Sequence, residues 1–141
     1  MSPRTRAGLV KFRPVRPGSR VALVAPASPF DRSEFDAGVA ELRRLGLEPV
    51  FDDRVFERHP IVAGPAEVRA RALADAIGRD DVDAVIAVRG GYGSAELLPW
   101  LDSERLGQSR TAVVGYSDIT SLHAYLNCHV RLASVHGAMV D

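Results

Sequence analysis

A serine with a glycine two positions before it and an aspartate directly after it, Gly115-Tyr116-Ser117-Asp118, follows the apolar run Thr111-Ala112-Val113-Val114 and precedes an amphipathic stretch. Buried strand, tight turn and helix in that order project a hydroxyl off the edge of a sheet. The first amides of the helix can then stabilise a developing oxyanion. The chemistry this arrangement would serve is attack by Ser117 on a carbonyl carbon, with a first amide of the helix as one oxyanion donor. The same residues have a plainer use, in which Ser117 caps the helix carrying Leu122 and Leu126 and Asp118 is a favourable first-turn charge. Ile119 stands where a hydrolase elbow has its last glycine, so the turn taken alone favours the cap.

A second cluster, Arg89-Gly90-Gly91-Tyr92-Gly93, changes that balance. A backbone without side chains lets amides approach a ligand, and a glycine amide here could supply the second arm of an oxyanion hole while Tyr92 lines the pocket. The cluster also reads as a flexible turn or a phosphate loop. The phosphate version fails on detail: Glu96 stands where a dinucleotide fingerprint needs glycine, and the only lysine, Lys11, is far from any Walker-type loop.

A serine nucleophile needs a base. His59 falls in a polar loop and reads as a surface residue. His123 stands six positions after Ser117 on the same helix, turned away from it, and reads as structural. His129 suits a helix end. His136, beside Gly137 near a strand end, reads as a pocket residue ahead of a base, so no complete triad is present. Cys128, the single cysteine, sits late in a helix and reads as buried packing. No spacing of histidines and carboxylates fits a metal, and no cofactor is expected.

The elements that must position these groups read as apolar strands alternating with amphipathic helices. Strands are expected at 20–25, 47–51, 83–88, 113–114 and, more loosely, 132–139. The first helix starts at a capping box of Ser33 and Asp36, buries Phe35, Val39 and Leu42, and ends near Gly46. The second starts at Pro65 and buries Val68, Ala72, Ala76 and Ile77. Ser94 is expected to cap a short helix that Pro99 ends. The role of 52–64 is not legible. This alternation implies an α/β fold: a single domain with an open, mostly parallel sheet and helices on both faces, of the flavodoxin-like or class I glutamine amidotransferase-like kind. Ligands bind such sheets outside the carboxyl ends of the strands, where Pro26-Ala27-Ser28-Pro29, the glycine cluster, the serine turn and His136-Gly137 all fall.

With 141 residues, 46% hydrophobic and 26% charged, the chain has room for one core and reads as soluble. Its 18 basic and 18 acidic residues cancel, which argues against nucleic acid or membrane as partner. The local bias is at the start, where Arg4, Arg6, Lys11, Arg13, Arg16 and Arg20 precede the first acid. Residues 1–18 read as a basic, solvated arm and 19–141 as the folded domain. Leu9-Val10 is the only apolar pair before Val21, too little for a secretory signal, so the expected location is cytoplasmic.

Val24-Ala25-Pro26-Ala27-Ser28-Pro29, Arg89-Gly90-Gly91-Tyr92-Gly93, Leu97-Leu98-Pro99-Trp100-Leu101-Asp102, Gly115-Tyr116-Ser117-Asp118-Ile119-Thr120 and Val135-His136-Gly137, in this order and spacing, resemble the amino-terminal half of an LD-carboxypeptidase. The resemblance implies a serine peptidase of murein recycling that removes the terminal D-alanine from a muropeptide tetrapeptide, or a member of the sister branch that confers microcin immunity. It implies Ser117 as nucleophile, the amides of Asp118 and Gly91 as oxyanion donors, and Ser28, Gly90, Tyr92 and His136 at the substrate. The general-base histidine and its glutamate would lie in a carboxyl-terminal domain beyond Asp141, leaving this chain alone nearly inactive. The expected partners are a muropeptide or small peptide and that second domain, with a homodimer left open. Glu96 departs from the arginine common at this place. Two rivals remain: a binding domain holding a small anion with amides and Arg89, and a glutaminase-like amidotransferase, which would need a cysteine at the serine turn.

Overall fold

The computed structural model describes residues 8–141. Five strands form one parallel sheet: β1 (Arg20–Val24), β2 (Glu48–Val50), β3 (Ala84–Ala87), β4 (Ala112–Gly115) and β5 (Val135–His136), in the order β2-β1-β3-β4-β5. The helices are α1 (Arg32–Arg44), α2 (Ala66–Ile77), α3 (Ser103–Gly107) and α4 (Thr120–Tyr125). Alternate strand residues point to opposite faces. Ala22, Val24, Val85, Ala87 and Val113 pack with Leu73, Ile77, Leu122 and Leu126 on the α2/α4 side. Leu23 and Val88 pack with Phe35 and Val39 of α1 on the other side. Burial on both faces is why β1, β3 and β4 read as continuous apolar runs. The sheet order reverses direction at the β1/β3 boundary, the place where open α/β sheets hold their ligands.

Several expectations need correction. The arm does not stand free in its described part. Val10 bridges Leu132 in parallel, its N–H donating to Arg131 O, and Arg13 N–H donates to Arg110 O while its guanidinium reaches Val82 O. Arg4 and Arg6 lie outside the described residues. Helix α1 is capped by Asp31, whose carboxylate accepts from the N–H of Ser33 at 2.7 Å, so the cap is two residues earlier than the Ser33–Asp36 box. The buried stripe of α2 is Arg69, Ala70, Leu73, Ala74, Ala76 and Ile77; Val68 and Ala72 are only half-buried. Ser94 does not cap the helix that follows it; the cap position of the 3₁₀ segment Ser94–Trp100 is Gly93. The last strand is two residues long, not eight. Cys128 is exposed, because after α4 the chain widens into a π-turn (Leu126–Val130) that keeps Leu126 and Val130 inward and swings Cys128 out. No helix among the described residues is long and apolar enough to cross a membrane.

The segment 51–64 is held by two anchors. Phe30, Phe35, Phe51 and Phe56 form a ring cluster with centroids 4.9–6.1 Å apart, and Arg32 lies 4.4 Å from the centroid of Phe56. Further on, Ala63 N–H donates to Ala27 O at 2.8 Å, bringing this segment onto the rim beside β1.

Candidate active site

Strand β4 ends at Gly115, which must lack a side chain: a Cβ there would come within 2.8 Å of Ile119, a fully buried residue folded back under the turn. Ile119, where a hydrolase elbow would carry its final glycine, thus fills the space that Gly115 leaves. Tyr116 is extended, and Ser117 then takes φ of 59°, one of two described non-glycine residues with positive φ. A serine held in the left-handed region costs about 1–2 kcal/mol, so the surrounding contacts must hold it there. The exposed Ser117 opens a short 3₁₀ turn, Ser117–Ile119, which leads into α4. Among the described residues nothing hydrogen-bonds its hydroxyl, whereas a capping serine would be bonded to the helix amides it caps.

The glycine loop lies directly against this turn. A Cβ on Gly90 would sit 3.3 Å from Ser117 Cβ and 3.5 Å from Asp118 N. Gly91 has φ of +96°, and a Cβ there would strike Ser28 Oγ at 2.3 Å. Ser28 fastens the loop from both sides: its N–H donates to Gly90 O at 3.1 Å, and its hydroxyl accepts from Tyr92 N–H at 3.0 Å. The Gly91 amide is left without an acceptor among the described residues. Asp118 completes the join. Its carboxylate accepts from Ser94 N–H at 2.8 Å, and its carbonyl accepts from the Ser94 hydroxyl, a fully buried group. Asp118 therefore caps the segment after the glycine loop and locks the two amide-bearing turns together.

The structure thus brings Ser28, Gly90, Gly91, Tyr92, Ser117 and Asp118 to one rim. His136 flanks them: it pairs with Gly115 across β4 and β5, and its exposed ring lies 6.1 Å from Tyr116. Tyr92, Tyr116 and Trp100 are all exposed. His123 is structural. Its Nε2–H donates to Gly115 O at 2.8 Å, since a carbonyl can only accept, and its Nδ1 then accepts from the Ser134 hydroxyl at 2.7 Å. Arg89 is engaged with Pro29 O at 3.1 Å and with the Asp141 carboxylate at 3.5 Å, which weakens the anion-binding rival. Burial pushes the Asp141 carboxyl above its ordinary pKa, and Arg89 offsets part of that. Among the described residues no group of three or more His, Cys, Asp or Glu is placed to hold a metal ion.

Sequence reasoning passed over Arg69. Its guanidinium is buried and donates to Gly64 O at 2.8 Å, Pro26 O at 2.9 Å, Gly93 O at 2.9 Å and the Glu96 carboxylate at 2.5 Å. The available signal was its spacing, four residues before Leu73 and eight before Ile77, which puts an arginine on the inward stripe of α2.

A family model for the amino-terminal domain of LD-carboxypeptidases matches residues 21–137. The chain belongs to that family. A protein of Streptomyces coelicolor that bears a carboxypeptidase name is 40% identical over 133 residues, 90% of this chain and 43% of the relative. The murein tetrapeptide carboxypeptidase of Pseudomonas aeruginosa is 37% identical over 119 residues, 84% of this chain and 38% of its own length. Among solved structures, the microcin C7 self immunity protein MccF superposes with a TM-score of 0.88 at 23% identity, over 93% of this chain and 40% of that one. This LD-carboxypeptidase-family chain therefore spans about two fifths of the length of the proteins it matches.

Proposed function

We propose that this chain is the nucleophile-bearing part of a serine LD-carboxypeptidase, cleaving the L,D peptide bond before the terminal D-alanine of a murein tetrapeptide in cytoplasmic peptidoglycan recycling. The observation that carries the reading is Ser117 itself: a left-handed serine whose hydroxyl has no bond among the described residues, on a turn packed against the glycine loop. Ser117 Oγ attacks the scissile carbonyl carbon and passes its proton to a general base. The carbonyl oxygen becomes an anion received by the N–H groups of Asp118 and Gly91. Collapse of this intermediate breaks the C–N bond, and D-alanine leaves as the amine carrying the returned proton. The acyl group stays on Ser117 as an ester until water hydrolyses it. Ser28, Gly90, Tyr92 and His136 border the substrate. The family resemblance assigns the base and its carboxylate partner to a carboxyl-terminal domain, and His123, committed to Gly115 and Ser134, is left out of that role.

The substrate follows the 37% match to a murein tetrapeptide carboxypeptidase rather than the 23% structural match to MccF, which bears on fold alone. The test measures D-alanine release from muropeptide tetrapeptide by the 141-residue chain, by a protein extended through the following domain, and by that protein carrying Ser117→Ala. The extended protein is expected to be active, the short chain nearly inactive, and Ser117→Ala to lose about 10⁴- to 10⁶-fold in kcat. Full activity in the short chain would refute the split site. Retained activity in Ser117→Ala would refute the nucleophile.

A further inference from the structure

Arg69 stands in the first turn of α2, where the helix dipole disfavours a cation, and only 3% of it is exposed. Burying a guanidinium there is costly unless its donors are met. Four of its five N–H groups are met, by acceptors drawn from the segments that build the rim: Pro26 after β1, Gly64 before α2, and Gly93 and Glu96 at and after the glycine loop. Pro26 lies two residues before Ser28, which clamps Gly90 and Tyr92. Gly93 lies one residue before Ser94, which clamps Asp118. The fit is close. Gly93 has φ of +107°, and a Cβ on it would lie 3.1 Å from Arg69 Nη1 and 2.7 Å from Val62. Gly90 and Tyr92, on either side of Gly91, are bonded to Ser28, two residues after the Pro26 carbonyl that Arg69 holds, and Gly93 is bonded to Arg69 itself.

We propose that Arg69 is a positioning residue of the reaction, its guanidinium fixing the glycine loop so that the Gly91 amide is aimed at the oxyanion of the Ser117 adduct, with Glu96 as its counter-ion. The inference rests on the peptidase reading for its link to hydrolysis and on the hydrogen bonds alone for its link to loop order. Arg69 touches no reacting atom; it acts through Pro26, Gly64 and Gly93. Lysine in its place could charge the site but could not span three carbonyls with a planar fork.

Two measurements decide it. In the 141-residue chain, amide exchange is followed in Arg69→Met and Glu96→Gln. Faster exchange at 90–94 by about tenfold or more, with α4 unchanged, is expected for Arg69→Met, and a smaller increase at the same amides for Glu96→Gln. In the enzyme extended through the following domain, Arg69→Met is expected to lose about 10²-fold in kcat with KM within about threefold, as for a misplaced oxyanion donor, and Arg69→Lys to recover part of it. Unchanged exchange at 90–94, or kcat within twofold of wild type, overturns the proposal. So does a loss carried by KM alone. If Arg69→Met unfolds the whole domain, Glu96→Gln decides, because its carboxylate is partly exposed: faster exchange confined to the loop supports the proposal, and none overturns it. If the wild-type enzyme releases no D-alanine, the peptidase reading fails by itself, and the exchange data alone decide whether Arg69 orders the loop.

Discussion

Ser117 and Gly91 are opposite solutions to one steric problem. Both sit at positive φ, but Ser117 keeps a side chain, the hydroxyl proposed to react, whereas Gly91 has nowhere to put one. Gly91→Ala would add strain of about 1–2 kcal/mol from its backbone conformation and drive a methyl into Ser28 Oγ, 2.3 Å from the ideal Cβ position. The expected outcome in the extended enzyme is a kcat loss of about 10²-fold or more with modest destabilisation. Ser28→Gly in the same protein makes room and should recover part of the loss. Steady-state kinetics of the two single variants and the double variant check this. Purely additive losses would show that Ser28 is not the obstacle. The serine turn and the glycine loop were legible in the sequence because tight turns accept few residue types. Arg69 was not, since a charge on an amphipathic helix ordinarily faces water, and only a tertiary contact with Glu96 and three carbonyls makes burial tolerable. Glu96, read as a departure from the family pattern, is explained by that same contact.

At the scale of elements, the turn is held from behind by a short relay: Asn127 Nδ2 donates to Ser134 Oγ and Leu132 O, Ser134 donates to His123 Nδ1, and His123 Nε2–H donates to Gly115 O. The relay ties the π-turn, the approach to β5 and the end of β4 together, in place of the longer strand pairing that a two-residue β5 cannot provide. His123→Ala removes two of these bonds and leaves Gly115 O with Gly137 N–H as its remaining donor. A loss of about 1–3 kcal/mol is expected, readable as a thermal shift of about 4 °C or more in this chain. A melting temperature unchanged within a degree would remove the relay from the account. The central strands were readable because both faces are buried and composition alone marks them. Strand β5 and the π-turn were not, because where an edge strand stops depends on partners that sequence periodicity does not encode. The outward Cys128 follows from that same unread π-turn.

Over the whole molecule, charges cancel in number but not in place: the amino-terminal edge of the sheet, away from the serine turn and the glycine loop, is laced by ion pairs. Arg20 reaches both Asp81 and Glu48, joining β1 to the entries of β3 and β2, and Arg79 also binds Asp81. Hydrogen bonds from Arg79 and then Arg20 hold the Asp81 carboxyl well below the ordinary aspartate range. Asp52 is lowered chiefly by Arg54, Glu41 by Arg44, and Asp31 by the Ser33 hydroxyl and N–H at the cap of α1. For each of these the folded-state pKa lies below the unfolded one. The stabilisation is therefore complete above the ordinary carboxyl range near pH 4 and is lost as pH falls through the lowered values. Asp141 has the opposite sign. Its folded pKa is raised by burial, so its contribution declines as pH rises from the unfolded to the folded value. Four lowered groups against one raised group make the melting temperature rise with pH from about 2 to 5. Asp81→Asn should flatten that rise, Asp141→Asn should steepen it, and 1 M salt should compress the Asp81 effect because these groups are exposed and screened. Thermal melts of the three proteins across that range are the check. A flat profile in the wild type, or a steeper one in Asp81→Asn, would mean that the strand entries are held together by packing alone.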